Sequence, residues 1–411
     1  MLLASAFVSQ TRAVASAWLS SSSSSVRRYR RGVPLYSSAM TNQQSQHLAR
    51  KVSPDDLEEC GARLRNGDLV AFPTETVYGL GCHALDPLAV AKVFAAKERP
   101  LTDPLIVHVT STSDAQRLWA ATPTSPEGQA LRILCDAFWP GPLTLVARAS
   151  SDVPPLVMAN TGFVACRAPA HPLARKLIDA AEVPIAAPSA NKFGHVSPTR
   201  AHHVWDDLQY EDVWIMDAPS VCDVGVESTV AKMEFDDYGN GRIIVLRQGA
   251  VSGGDLESCL QKAGLWDKIT VTVATRKATT EDVATVAPGQ CYRHYSPDIP
   301  SYILSSRYEN TTSRTNLSTT VLIDFNRKLV SFKGATLAYR DLSTSGDSSE
   351  AAQSVFETLR WAEQVEGATR IIFPELVVTE KTDALTLALK DRLTRAASGV
   401  IIDCLGKSVE P

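Results

Sequence analysis

The chain is 411 residues long, 44% hydrophobic, with 8 cysteines and a formal net charge of −4. That length suits two domains with packed cores, and no apolar run approaches the roughly 20 residues of a membrane helix. Eight cysteines without a CxxC pair suggest neither a zinc site nor a disulfide framework, but reduced and mostly buried thiols. The charge is uneven: residues 1–50 hold six arginines and no acid, leaving 35 cations against 45 acids, a net of −10, for residues 51–411. A body of that sign lacks the cationic footprint of a protein held on nucleic acid by phosphate contacts.

Residues 1–45 are a zone of their own, with Ser20 to Ser25 unbroken and Arg27, Arg28, Arg30 and Arg31 clustered behind them. Arg-rich, Ser-rich and acid-free composition describes an organelle transit peptide, for a mitochondrion or a plastid. Gln10 and Arg12 interrupt the apolar stretches too often for a secretory signal. The alternative is a disordered tail that stays on the protein. Met40 is placed to start a second, cytoplasmic form without this segment.

The body is expected to open with a helix capped by Ser53 before Pro54 and closed by Gly67. An apolar run, Leu69 to Pro73, reads as a strand, followed by the polar turn Pro73-Thr74-Glu75-Thr76. Pro87 to Ala96 is amphipathic, with Leu88, Val90, Val93 and Phe94 on one side, and is stopped by Lys97-Glu98-Arg99-Pro100. Two cations therefore stand at a helix C-terminus, where the dipole alone favours them. The sharper reading is that Lys97 and Arg99 hold phosphates. Leu105 to Val109 is the next strand, and others are expected at Leu143 to Ala147, Phe163 to Arg167, Val183 to Ala187, Val213 to Met216, Ser228 to Met233 and Ile243 to Leu246. Helical patterns fall at Pro172 to Ala181 and Thr199 to Leu208. Strands and helices without strict alternation predict an α/β domain with a mixed sheet over residues 50–264.

Residues 265–300 hold little apolar periodicity and read as a linker, but Ala287 to Pro297 packs Tyr292, Arg293, His294 and Tyr295 together. A plain linker seldom carries such residues, so this one is expected to touch something. Residues 301–405 form a second, smaller α/β domain, Rossmann-like with an open sheet. Its strands are expected near Tyr302 to Leu304, Thr320 to Asp324, Ala335 to Ala338 and Arg370 to Phe373, and its helices at Glu350 to Glu366 and Thr382 to Ala397.

Several motifs are set aside. Gly79-Leu80-Gly81-Cys82-His83-Ala84 fits a loose dinucleotide pattern but lies five residues past its strand, and about twenty residues on, where an acidic ribose ligand at a strand end is expected, the chain offers a helix end. Gly406-Lys407-Ser408 lacks the upstream glycine of a P-loop. The sequons at Asn310 and Asn316 mean nothing unless the protein is secreted. Ser189 and Asn191, in Ala-Pro-Ser-Ala-Asn, have a spacing that puts both side chains on one side of an extended segment, although Ser and Asn after proline are also ordinary turn formers. Together with Lys97, Arg99, His108, Arg167, Ser197, Ser228 and Arg247 near strand ends, they make a set of cations and hydroxyls without a nucleophile and base. Such a set positions and neutralises phosphates.

The run PTETVYGLG, then KER-P, PLIVHV, RAP, APSAN, ESTV and LRQG, resembles the threonylcarbamoyl-AMP synthase family, whose catalytic domain has the YrdC-type fold. APGQCYRHYSP and the late Ala388 to Ala397 resemble the linker and C-terminal domain of its two-domain members. The resemblance implies that L-threonine, bicarbonate and ATP give threonylcarbamoyl-AMP and pyrophosphate, and that other proteins transfer the threonylcarbamoyl group to a tRNA adenosine. It implies that Lys97, Arg99, Ser189 and Asn191 form the catalytic group. Thr76, His108, Arg167 and Ser228 then bind threonine, with Arg167 gripping the carboxylate. Arg99, Asp103, Phe163, Ser189, Ser197, Arg247 and the linker Tyr295 contact ATP. Phe163 departs from the threonine often found there, so any contact must come from its backbone or be missing. Magnesium is expected on the phosphates and needs few protein ligands. The linker is expected to close over the mouth and keep water from the adenylate. Downstream threonylcarbamoyl transferase proteins are the implied partners, and a weak tRNA contact is compatible with the fold. Two other readings are a carbamoyl-adenylate reaction, for which the acylphosphatase and zinc-finger modules are missing, and an RNA-binding module, which the charge of the body disfavours.

Overall fold

A computed structural model describes residues 47–219, 222–265, 267–274, 285–286, 295–307, 317–379 and 381–405. Residues 1–46, the linker tract from Ala287 to His294, the sequon asparagines Asn310 and Asn316 and Gly406 to Ser408 lie outside the described residues. The described residues pack as one compact unit holding two sheets.

The first sheet is built from β1 (Arg50–Val52), β2 (Leu69–Phe72), β3 (Gly79–His83), β4 (Ile106–His108), β5 (Leu143–Arg148), β6 (Phe163–Arg167), β7 (Ile185–Ala186), β8 (Val213–Met216), β9 (Thr229–Phe235), β10 (Gly241–Arg247) and β11 (Ile269–Val273). Its spatial order is β1-β8-β2-β3-β7-β4-β6-β5-β9-β10-β11. Pairing is mixed, as expected: β4 runs parallel to β6, and β2 antiparallel to β3. The central strands are fully buried runs such as Leu69–Phe72, because helices cover them.

Local chemistry sets the helix that leads to Lys97. Asp86 caps its N-terminus by accepting Leu88 N at 2.9 Å, and Pro87 occupies the first turn. Val90, Val93 and Phe94 are buried on its inner side. It ends at Lys97 because Glu98 turns left-handed with φ 55°, and its N–H returns to Ala95 O; Pro100 only follows.

Some expected boundaries shift. The first helix starts at Leu57 with Asp56 at the N-cap, not at Ser53, because Ser53 N donates to Asp56 Oδ2 and closes a turn before the helix. Strand β3 falls in the GLGCH run, whose two glycines carry no strand signal. Helices at Thr112–Leu118, Pro126–Phe138 and Gly253–Lys262 add to the four foreseen in this part. The sheet also runs past Gly264, since β11 pairs parallel with β10.

The second sheet is entirely parallel, in the order β14 (Thr336–Asp341), β13 (Leu317–Asp324), β15 (Arg370–Pro374), β12 (Ser301–Leu304), β16 (Ile401–Ile402). Helices Ser348–Glu363 and Ala384–Ala396 pack on it, each N-capped by an aspartate, Asp347 and Asp383. One hydrophobic cluster crosses between the sheets, joining Val77, Val196 and Val226 to Tyr295, Val355, Phe356 and Leu389. Gly225 permits that contact. Its φ is +73°, and a Cβ there would lie 2.3 Å from Ala352 O in the helix Ser348–Glu363.

Candidate active site

Lys97 sits at its helix end with 1% of its surface exposed. Its ammonium donates to Ser189 O at 2.6 Å and to Asn191 O. Burial pushes this amine well below its ordinary pKa, and the Arg99 guanidinium adds to the fall. Arg99, also buried, donates Nε to Asp103 O at 3.0 Å and Nη2 to Pro104 O at 2.8 Å, with Asp103 Oδ2 at 3.0 Å. It thereby fixes the loop that follows the helix. Asn191 donates Nδ2 to Lys192 O and His195 O, while its Oδ1 is buried and accepts no hydrogen bond among the described residues. That oxygen is free to take a donor from a ligand.

A second group forms on Arg167, the last residue of β6, whose Cα pairs with His108 at the end of β4. Arg167 Nη1 donates to Thr76 Oγ1 at 3.0 Å, Nε to Gly141 O at 3.3 Å, and Nη2 lies 2.6 Å from Glu75 Oε1. Thr76 in turn shares a 2.8 Å hydrogen bond with Thr74. His108 is buried, and that burial, aided by Arg167, pushes its imidazole down to about 3. It is therefore neutral at physiological pH. Neutral His108 keeps one nitrogen able to accept, which an imidazolium could not do.

The third group lies at the start of β9 and the end of β10. Arg247 donates Nε to Ser228 O at 3.0 Å and Nη2 to Ser228 Oγ at 3.1 Å, and Ser228 Oγ meets Thr144 Oγ1 at 2.7 Å. Gly249 lets these backbones touch, since a Cβ there would lie 2.3 Å from Thr229 N. Burial lowers the pKa of Arg247, and Arg167 is near enough to lower it further. Ser197, fully buried, donates to Glu227 Oε1 at 2.6 Å.

Of the residues singled out from the sequence, Lys97, Ser189 and Asn191 come together, as do Thr76, His108 and Arg167, and Ser228 with Arg247. Tyr295 is fully buried against Phe356, with ring centroids 5.3 Å apart, on the second-sheet side of the shared core. Phe163 stands apart at the far end of β6, where Lys232 lies 4.0 Å over its ring. Sequence reasoning passed over Glu75, Glu227 and His195. The first two lie inside the quoted PTET and EST runs, but nothing in either run says that the carboxylate will be buried against a guanidinium.

Residues 62–249 match the Sua5/YciO/YrdC family model, described as telomere recombination, and residues 251–398 match the threonylcarbamoyl-AMP synthase C-terminal domain. The threonylcarbamoyl-AMP synthase of Pyrococcus abyssi is 35% identical over 340 residues, covering 82% of this chain and 93% of the relative. The chain belongs to the threonylcarbamoyl-AMP synthase family. A family member from Schizosaccharomyces pombe is 38% identical over 275 residues, 61% of this chain and 65% of the relative. The crystal structure of P. abyssi Sua5 complexed with L-threonine superposes with a TM-score of 0.71 at 32% identity, covering 86% of this chain and 98% of the other. The two-sheet arrangement is therefore that of the family, and every group described above lies within the matched span.

Proposed function

We propose that this protein is an L-threonylcarbamoyladenylate synthase. It joins L-threonine, bicarbonate and ATP into threonylcarbamoyl-AMP and releases pyrophosphate, for threonylcarbamoyladenosine modification of tRNA. The observation that carries this reading is the set of buried basic side chains at helix and strand ends, Lys97 near Arg99 and, in the neighbouring groups, Arg167 and Arg247, in a chain that aligns along most of its length with a named synthase.

The amine of threonine attacks bicarbonate, water leaves, and a carbamate forms; a carbamate oxygen then attacks the α-phosphate and pyrophosphate departs. Each step gathers negative charge, so the demand falls on fixed cations and donors more than on a nucleophile. Arg167 and Thr76 receive the amino acid, and neutral His108 accepts a hydrogen bond from it. Lys97 and Arg99 act on the phosphates, and Asn191 Oδ1 takes a donor of the substrate. Ser189 presents its hydroxyl beside the carbonyl that Lys97 holds. Ser197, Arg247 and Tyr295 border the nucleotide.

Magnesium suits this chemistry, but Glu75, Asp103 and Glu227 each already face an arginine. Among the described residues, the one group with metal-ligand spacing is His195, Asp298 and Glu363, and both His195 nitrogens are taken up by carboxylates. The pocket is therefore no magnesium cage, and the ion would arrive on the phosphates with its water. The presequence directs import into a mitochondrion or plastid, and downstream transferase proteins take up the adenylate.

Purified protein should release pyrophosphate only when threonine and bicarbonate are both present with ATP. Release without threonine, or with carbamoyl phosphate in its place, would favour a carbamoyl-adenylate reaction. No release at all, with RNA retained on the protein, would favour a binding module.

A further inference from the structure

The geometry points to Arg392, on the helix Ala384–Ala396 of the second sheet, as a positioning residue for the nucleotide site, acting through Glu227 on Ser197. This inference rests on the function proposed above, because it takes Ser197, Ser228 and Arg247 to border the substrates.

Arg392 is wholly buried, although its helix belongs to the other sheet. Its Nε donates to Glu227 Oε2 at 3.1 Å and its Nη2 to Glu227 O at 3.3 Å. Nη1 donates to Gln248 O at 2.5 Å and to Asp391 Oδ2 at 3.2 Å. One guanidinium thus grips the residue before Ser228 and the residue after Arg247. The other oxygen of Glu227 accepts the Ser197 hydroxyl at 2.6 Å. The ring of Tyr295, where the described linker resumes, lies 5.6 Å from the guanidinium carbon.

The physical need is mutual. Glu227 is 6% exposed, and a carboxylate so buried stays ionised only beside a cation. Arg392 contacts it directly from 165 positions away in the sequence, and Arg247 is close enough to feel the same charge. An ionised Glu227 holds the Ser197 proton, so Ser197 presents lone pairs, and not a proton, to whatever lies beyond it. Removing Arg392 would take away the fork that holds both the carboxylate and the backbone carbonyl of Glu227 in place. The Ser197 hydroxyl would then lose its fixed direction. The second sheet is in this sense part of the site and not only a cover for it.

Arg392→Gln should raise the KM for ATP about 10- to 100-fold, the factor that corresponds to one buried charged hydrogen bond left unmade, with a smaller change in the KM for threonine. Glu227→Gln combined with Arg392→Gln should recover most of that loss, because the amide oxygen still accepts Ser197 and needs no cation. If Arg392→Gln proves too unstable to assay, Arg392→Lys keeps the charge without the fork and should show a melting temperature near wild type with an intermediate KM for ATP. A variant that melts early yet keeps the wild-type KM for ATP would mean that Arg392 is structural only. A double variant no better than the single one would also overturn the relay. Both outcomes presuppose wild-type pyrophosphate release with threonine and bicarbonate; if that is missing, it is the proposed function that fails.

Discussion

Arg167 and Glu75 form a buried ion pair, Nη2 to Oε1 at 2.6 Å, within the pocket assigned to threonine. Burial raises the pKa of Glu75, but the guanidinium more than offsets this and holds it below the ordinary carboxylate range. The pair's stabilisation is therefore complete above about pH 4.5 and fades as the pH drops below that. Removing one partner leaves an uncompensated buried charge, so Arg167→Gln or Glu75→Gln should each destabilise the protein by about 3–5 kcal/mol. The double substitution should cost less than either single one. A zwitterionic amino acid keeps the pocket balanced, with carboxylate against Arg167 and ammonium against Glu75. Glu75→Gln should therefore raise the KM for threonine more than that for ATP. Urea unfolding and steady-state kinetics test both points, and additive stability losses would count against the pairing.

The proposed function sets Lys97 and Arg99 against the charge that builds up on the phosphates. Alanine at either position should remove roughly 2–4 kcal/mol of transition-state stabilisation, or about thirtyfold to a thousandfold in pyrophosphate release. Near-normal turnover in both variants would show that they serve only the helix end.

His195 links the two sheets. Its Nδ1 meets Asp207 at 2.9 Å and its Nε2 meets Glu363 at 3.1 Å, while Arg360, from the same helix as Glu363, holds the other side of Asp207 at 3.0 Å. Burial alone would lower the imidazole's pKa, and nearby Arg360 opposes its charge, but the hydrogen bonds to Asp207 and Glu363 raise it to about 9. A raised histidine contributes fully below about pH 6.5, and that contribution, about 3 kcal/mol, is lost as the pH climbs through 9. The melting temperature should drop from pH 6.5 to 9.5 in the wild type. In His195→Asn it should be lower at pH 6.5 and nearly flat. Parallel curves would exclude His195 as the source.

If the linker closes the mouth, deleting residues 285–300 should reduce the yield of threonylcarbamoyl-AMP more than the affinity for ATP. Equal losses in both would speak against a cover over a water-sensitive adenylate.

A fluorescent fusion to residues 1–50 should enter mitochondria or plastids, and a protein started at Met40 should stay in the cytoplasm. A diffuse signal from the first fusion would identify the segment as an ordinary tail.

Much of this protein was written in local chemistry. Apolar runs, prolines and capping aspartates set the strands β2, β4, β6 and β10 and the helix ending at Lys97, and the ordered motifs identified the family. Those signals act over a few residues, so they can be read in one dimension. The compensation of charge could not. Glu75 finds Arg167, and Glu227 finds Arg392 across 165 positions, only after the sheets have closed. Burial and the distance to a partner decide whether a carboxylate stays ionised and a histidine stays neutral, and both quantities exist only in the folded chain.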